Sequence, residues 1–341
     1  MLRCDTRQIT IFAVAMIIMA FSQGQSWAEA DSAVYLCRTE RILLAPGWSA
    51  PATLYPLGRI DARQVTGLLD IGIRAYTGKS DPLDNPWREI ATPQDRVAIQ
   101  VDLRTPPVSR ETINAIIDGL VNSGVSPDNI IVFTGDEAEL FAAGISVMPI
   151  GRGIRTMGSE SEGYRKGISR IVLDYCTVII NVARLKADRE LGMRGCIANC
   201  LSVVPYVERV RLLSQPSELP SAAAHAIMRQ KTKLHVLEAY QPLLDDISDQ
   251  PPTTWEYRGL LLSSDPVALD LTGLRILAAK QAQTREKQGA AGVPAQKALE
   301  YLKPAASRKY RLGQADPEQI QVHLQGTEKD LLIDTLPTSP D

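Results

Sequence analysis

Short aliphatic runs alternate with amphipathic segments along most of the chain, and the alternation predicts a fold. AVYLCRTERILL at 33–44 predicts a first strand, and the turn-rich APGWSAPATLYPLG separates it from ARQVTGLLDIGIRAYTG. In that segment Val65, Leu68, Leu69 and Ile73 recur at helical spacing, with Asp61 placed to cap the first turn. KSDPLDNPW reads as loop. RVAIQVDL at 96–103 predicts a second strand, and TPPVS leads from it into RETINAIIDGLVNSG. Here Ser109 is the expected cap, Ile113, Ile116, Ile117 and Leu120 form the apolar stripe, and Gly124 closes the helix. NIIVFTG predicts a third strand, Asp136 opens the helix EAELFAAG, and ISVMPI at 145–150 predicts a fourth strand.

The glycine-rich GRGIRTMGSESEGYRKG at 151–167 reads as a flexible loop or a connection between lobes. No Gly-Lys-Ser/Thr follows it, so a phosphate cradle is unsupported. Further strands are expected around 177–182, 234–240 and 320–324, with a capped helix over 217–231 and a strand and helix in LLLSSDPVALDLTGLRILAAK. Strand and helix alternating at this spacing predict right-handed parallel crossovers. The expected fold class is α/β: a doubly wound, mostly parallel sheet with helices on both faces. It would form one domain over 29–326, or two intimate lobes meeting near 151–167, followed by a loose tail at 327–341. Ligands are expected beyond the carboxyl ends of the strands.

The first residues bear on destination. Two arginines precede ITIFAVAMIIMAF at 9–21, which has the length of a secretory signal core and falls short of the roughly 20 residues that span a bilayer. SWAEA offers small residues for cleavage after Ala28 or Ala30. Residues 1–28 are therefore predicted to be a Sec-type signal peptide, with an uncleaved anchor as the alternative, and the mature chain to be periplasmic or extracellular. No later segment reads as a transmembrane helix. With 37 Lys plus Arg against 39 Asp plus Glu, no electrostatic footprint for nucleic acid or an anionic membrane is present. Few aromatic and many aliphatic residues agree with an α/β core.

Of the five cysteines, Cys37, Cys176, Cys196 and Cys200 lie beyond the predicted signal. Four thiols allow three disulfide pairings, and the sequence does not choose among them. In GMRGCIANC, Cys196 and Cys200 share one helical face if the segment is a helical turn, where two thiolates could hold a soft metal. Buried thiols and a disulfide are the competing readings. No third or fourth ligand stands nearby, His225, His235 and His323 show no metal-pair spacing, and the ferredoxin Cys-x2-Cys-x2-Cys run is absent.

Lys186, Asp188, Arg189 and Arg194 follow an aliphatic strand, where cationic groups could clamp a carboxylate or phosphate, although a solvated turn would look the same. In SSDPVALD, Ser264 or Asp265 can cap a helix with Pro266 in its first turn; the carboxylates of Asp265 and Asp270 could alternatively bind a hard cation or a substrate hydroxyl. The acidic Asp136, Glu137 and Glu139 suit a helix N-terminus. No Gly-x-Ser-x-Gly elbow, His-Glu-x-x-His pair or dinucleotide fingerprint occurs.

Four segments in order, RVAIQVDL, NIIVFTGDEAEL, TVIINVARLKADRELGMRGCIANCLSVV and LLLSSDPVALDLTGLRI, resemble the blocks of the domain of unknown function 362 family, over most of the chain beyond 28. The resemblance matches Lys186 to that family's lysine and Gly192 and Asn199 to residues of its third block, while Asp265, Pro266, Ala268 and Asp270 fit its Asp-Pro-Val-Ala-x-Asp. Asp188 stands in place of a histidine, Arg194 of a threonine and Ala198 of a lysine; Gln100 and Asp102 replace a Lys and an Asn. Such exchanges change which charges a pocket can neutralise. The resemblance implies the fold; taken with the signal-like first residues and the charged loops after the strands, the expectation is an exported protein that binds a small polar or anionic ligand through Asp102, Lys186, Asp188, Arg194, Asn199, Asp265 and Asp270. The alternative is a metal-assisted or redox enzyme using Lys186, Asp188, Arg194, Asp265 and Asp270, and a protein of the cell envelope is a further partner class.

Overall fold

The computed structural model describes residues 32–44, 58–245, 253–288 and 295–333. The predicted signal peptide at 1–28 and the end of the tail at 334–341 lie outside the described residues. In chain order the elements are β1 (Ser32–Arg38), α1 (Ala62–Thr77), β2 (Val97–Val101), α2 (Arg110–Ser123), β3 (Ile130–Thr134), α3 (Glu137–Ala142), β4 (Arg155–Gly158), α4 (Ser159–Glu162), β5 (Tyr164–Arg165), β6 (Ile168–Ser169), β7 (Val178–Asp188) and β8 (Gly192–Arg194). They continue with α5 (Cys196–Asn199), α6 (Tyr206–Ser214), α7 (Pro220–Ala224), α8 (Ala226–Lys231), β9 (Thr232–Asp245), β10 (Thr253–Thr254), β11 (Gly259–Ser263), α9 (Pro266–Gln288), α10 (Leu299–Ala306) and β12 (Ile320–Gly326).

The main sheet runs β12-β1-β11-β9-β7-β2-β3-β4, with β8 added to β7 and β10 to β9. Every neighbour along that path pairs in parallel except β11, which runs antiparallel to both β1 and β9. The fold is thus α/β with a mostly parallel sheet. Strands β2, β3 and β7 are buried along their whole length, as parallel strands covered on both faces must be. Alternate residues feed two apolar layers: Val97, Ile99, Val101, Ile180 and Val182 pack with Leu69, Ile73, Ile116 and Leu120 of α1 and α2. Ala98, Ile179, Ala183 and Leu185 pack on the other face with α5, α7, α9 and α10.

Local signals hold where they are strongest. Asp61 accepts a hydrogen bond from Arg63 N and Gly78 closes α1 at φ 69°; Ser109 accepts from Thr112 N and Gly124 closes α2 at φ 105°. Asp136 caps α3.

Several expectations are corrected. The fourth strand is β4 rather than 145–150, which makes a single bridge between Met148 and Thr156 and contains Pro149, whose nitrogen cannot donate. Residues 151–167 therefore add β4 to the shared sheet instead of linking two lobes. The helix predicted over 217–231 breaks at His225, which adopts ψ 135°, into α7 and α8. Residues 327–333, read as the start of a loose tail, lack regular structure but are tied down, with Arg38 donating to Lys329 O, Tyr257 to Leu331 O and Ile333 buried. The reversal of β11 has the largest consequence. Asp265, at its carboxyl end, lies on the rim opposite the ends of β2, β3 and β7.

Candidate functional site

After β2 the chain passes through α2 to β3 and through α3 to β4 on one face, then returns as β7 on the other side of β2 and continues through α5 to α8 on the opposite face. The connections diverge at the carboxyl ends of β2 and β7, which leaves a crevice there as such a switch in strand order does. The crevice is lined by Asp102, Arg104, Thr134, Gly135, Glu139, Arg194, Ala198, Asn199 and Ser202. Its accessible volume is about 10 Å³, room for one water, and the volume including open solvent at its mouth is about 290 Å³.

Its position follows from β7, which overruns the sheet and folds back as β8, placing Lys186 opposite Arg194 and Asp188 opposite Gly192. Asp188 closes the hairpin by accepting from Glu190 N at 2.9 Å and Leu191 N at 2.8 Å, and its other oxygen takes Arg194 Nε. Burial works against the Asp188 charge, but Arg194 and those N–H groups outweigh it and hold the carboxyl below its usual value. Lys186, 2% exposed, spends its ammonium on Asp102 Oδ2 at 2.8 Å, Arg104 O at 2.7 Å and Pro106 O at 3.3 Å. Burial lowers its pKa, opposed by Asp102 and reinforced by Arg194 and Arg184. With its three donors committed, Lys186 acts as a structural cation behind the crevice, not as a free base.

Arg104 is bonded through Nε to Glu139 Oε1 at 3.4 Å, and Glu139 also takes the Thr134 hydroxyl. Burial and Arg194 lower the Arg104 pKa, while Glu139 and Asp102 raise it. Arg209 completes the cationic group: it donates to Leu201 O and to Glu160 and presses on Gly135, where a Cβ would stand 2.9 Å from its guanidinium. Sequence reasoning missed Arg104, Thr134, Glu139, Ser202 and Arg209 as site residues. The usable signal was position, because Arg104 and Thr134 stand where β2 and β3 end.

Beneath α5 a polar row crosses the sheet. Gln100, Asn181 and His235 are register neighbours on β2, β7 and β9. Asn199 Nδ2 donates to Asn181 Oδ1 at 2.8 Å, and Asn181 Nδ2 donates to Cys196 O at 2.8 Å and meets His235 Nδ1 at 3.1 Å. With Asn181 as donor, the His235 proton belongs on Nε2. Burial drops His235 from 6.5 to about 3.

Of the residues the sequence singled out, Asp102, Lys186, Asp188, Arg194 and Asn199 converge here. Asp270 serves the same loop from behind: fully buried on α9, it accepts from Cys196 N at 2.7 Å and Ile197 N at 2.8 Å. The approach is close enough that a Cβ on Gly195 would lie 2.4 Å from its Oδ1. Asp265 is separate. It caps α9 through Val267 N and Ala268 N and ties Ser32 and Gln314 to the far rim, so its assignment to the ligand site is withdrawn.

The metal reading of Cys196 and Cys200 is also withdrawn. Both thiols are buried and free, Cys196 directed to Val236 O and Cys200 to Cys196 O. Burial pushes Cys200 up to about 12 and Cys196 well above the usual thiol value, as for thiols packed in a core. Among the described residues no group of three or more His, Cys, Asp or Glu is placed to hold a metal ion. No described helix is long and apolar enough to cross a membrane.

Residues 116–275 match the sequence model of a family described as Domain of unknown function (DUF362). The match runs from the middle of α2 to the first part of α9, and so takes in Lys186, Asp188, Arg194, Asn199 and Asp270 but neither Asp102 nor Arg104. No curated protein matches the chain.

Proposed function

The chain belongs to the domain of unknown function 362 family, and on that premise we propose that it binds a small polar, anionic ligand in the crevice between the ends of β2, β3 and β7. The observation that supports this most is the meeting of Arg104, from the loop after β2, and Arg194, from the β7–β8 hairpin, at the switch in strand order. Thr134, Asn199 and Ser202 add neutral hydrogen-bonding groups from three further positions. The test is calorimetric titration of the purified protein with a panel of small carboxylates and inorganic phosphate. Binding of at least one, weakened about tenfold or more in Arg104→Gln and Arg194→Gln, is the expected result, since charge-assisted bonds of this kind contribute roughly 1.5–3 kcal/mol each. Binding that ignores both substitutions would refute the site.

Export is part of the same proposal and rests on the signal-like pattern at 1–28. Removal of that segment takes Cys4 with it, so the mature protein, denatured without oxidation, should count four thiols instead of five.

A further inference from the structure

We infer that the crevice selects anions that carry their own hydrogen-bond donor, and so takes hydrogenphosphate or a singly protonated phosphate group in preference to sulfate. The inference rests on the proposed anion site and concerns what that site would refuse. Two guanidinium groups line the crevice, Arg104 and Arg194, and two carboxylates line it with them, Asp102 and Glu139. A ligand drawn in by the arginines meets both carboxylates.

The carboxylates retain acceptor capacity. Asp102 Oδ1 receives Arg104 N at 3.3 Å and Oδ2 receives Lys186 Nζ at 2.8 Å; Glu139 receives one bond at each oxygen, from Arg104 and Thr134. A carboxylate has about four acceptor positions, so each has room for a ligand O–H or N–H. A third acceptor stands one residue behind the lining. Gln100 Nε2 donates to Asn199 O at 2.9 Å and Ser202 Oγ at 2.8 Å, which fixes the amide orientation, and Gln100 Oε1 is buried with no partner among the described residues. A buried acceptor without a donor is costly and is relieved by a ligand or a water that brings one.

Charge points the same way. Arg104, Lys186, Arg194 and Arg209 are answered by Asp102, Glu139, Asp188 and Glu160, so the surroundings are close to neutral. A dianion without protons would gain two guanidinium contacts and face two carboxylates, whereas an anion with a proton turns those carboxylates into partners. Sites that hydrogen-bond a ligand proton reject analogues lacking it far more strongly than apolar pockets reject a missing methylene.

The experiment is parallel titration of the wild-type protein with inorganic phosphate and with sulfate at pH 7 and fixed ionic strength, because phosphate carries at least one proton there and sulfate none. Phosphate affinity at least about tenfold above sulfate is expected. Glu139→Gln, whose amide can donate, should narrow that ratio severalfold by raising sulfate affinity, with circular dichroism and thermal unfolding confirming that the variant is folded. Equal affinity for the two anions overturns this inference while leaving the anion site standing. Absence of binding by either, or of any carboxylate, overturns the site and the inference together.

Discussion

Replacing Lys186 by Met separates a buried ion pair from its packing. The two side chains are of similar length, so the stem of Lys186 is largely replaced while its charge is removed. What remains is the Asp102 carboxylate, which like Lys186 is almost wholly buried, with Arg104 N at 3.3 Å as its remaining donor among the described residues, and the carbonyls of Arg104 and Pro106 without the ammonium they shared. Stranding one member of a buried pair costs about 3–5 kcal/mol. Two carbonyls losing a donor add roughly 1 kcal/mol each unless water reaches them. Relief of the lysine's own desolvation, visible in its lowered pKa, offsets part of this, so a net loss of about 3–5 kcal/mol is expected. The companion variant, Lys186→Met with Asp102→Leu, removes the stranded charge and should recover to within about 1–2 kcal/mol of wild type. Urea unfolding at pH 7, with each variant's midpoint and slope fitted separately, measures both quantities. A single variant within 1 kcal/mol of wild type, or a double variant no more stable than the single, would refute the view that Lys186 and Asp102 act as a pair.

The remaining expectations concern buried titratable groups. In the folded protein Cys37, Cys176, Cys196 and Cys200 should resist a thiol reagent at pH 8 and react together on denaturation, because all four are buried and burial raises each, Cys37 to about 12 and Cys176 to about 11; rapid labelling of one cysteine in the native state would contradict this. For pH dependence, His235 falls from 6.5 to about 3 on folding, so the unfolded chain binds its proton first and His235 contributes stability above 6.5 that is lost on acidification towards 3, at most about 5 kcal/mol. Asp270 rises from 3.8 to about 7 through burial, against its two N–H partners, and contributes stability below 3.8 that is lost as pH climbs towards 7, at most about 4 kcal/mol. The two slopes oppose each other between 4 and 6.5. His235→Gln should therefore tilt the curve of stability against pH towards acid relative to wild type, and Asp270→Asn should tilt it towards neutrality; parallel curves for the three proteins in urea unfolding between pH 4.5 and 7.5 would contradict the assignment.

What could be read without coordinates was whatever the chain specifies within a few residues. The caps at Asp61, Ser109 and Asp136, the glycines at 78 and 124 and the stripe of α2 are local hydrogen bonds and side-chain spacings, and they appear where the pattern puts them. The aliphatic runs of β2, β3 and β7 declared their burial in the same way, and with them the α/β class. Lys186 and Arg194 could be singled out because a charged hairpin follows a buried strand.

Strand direction and neighbour were another matter, since they depend on which edge of the sheet is free when a segment arrives. GLLLS looks the same whether it runs with β9 or against it; running against it carried Asp265 to the far rim and left Asp270, further along α9, in reach of the Gly195 turn. Arg104 follows β2 while Glu139 sits on α3, and the row of Gln100, Asn181 and His235 spans three strands, so nothing within a single segment ties them together. Short-range sterics and hydrogen bonding let the sequence alone determine the capped helices α1 and α2, the buried strands β2, β3 and β7 and the layers they form. Sheet pairing acts between residues tens of positions apart, so only the tertiary structure decided which charged side chains share a crevice and which thiols and carboxylates became its hidden supports.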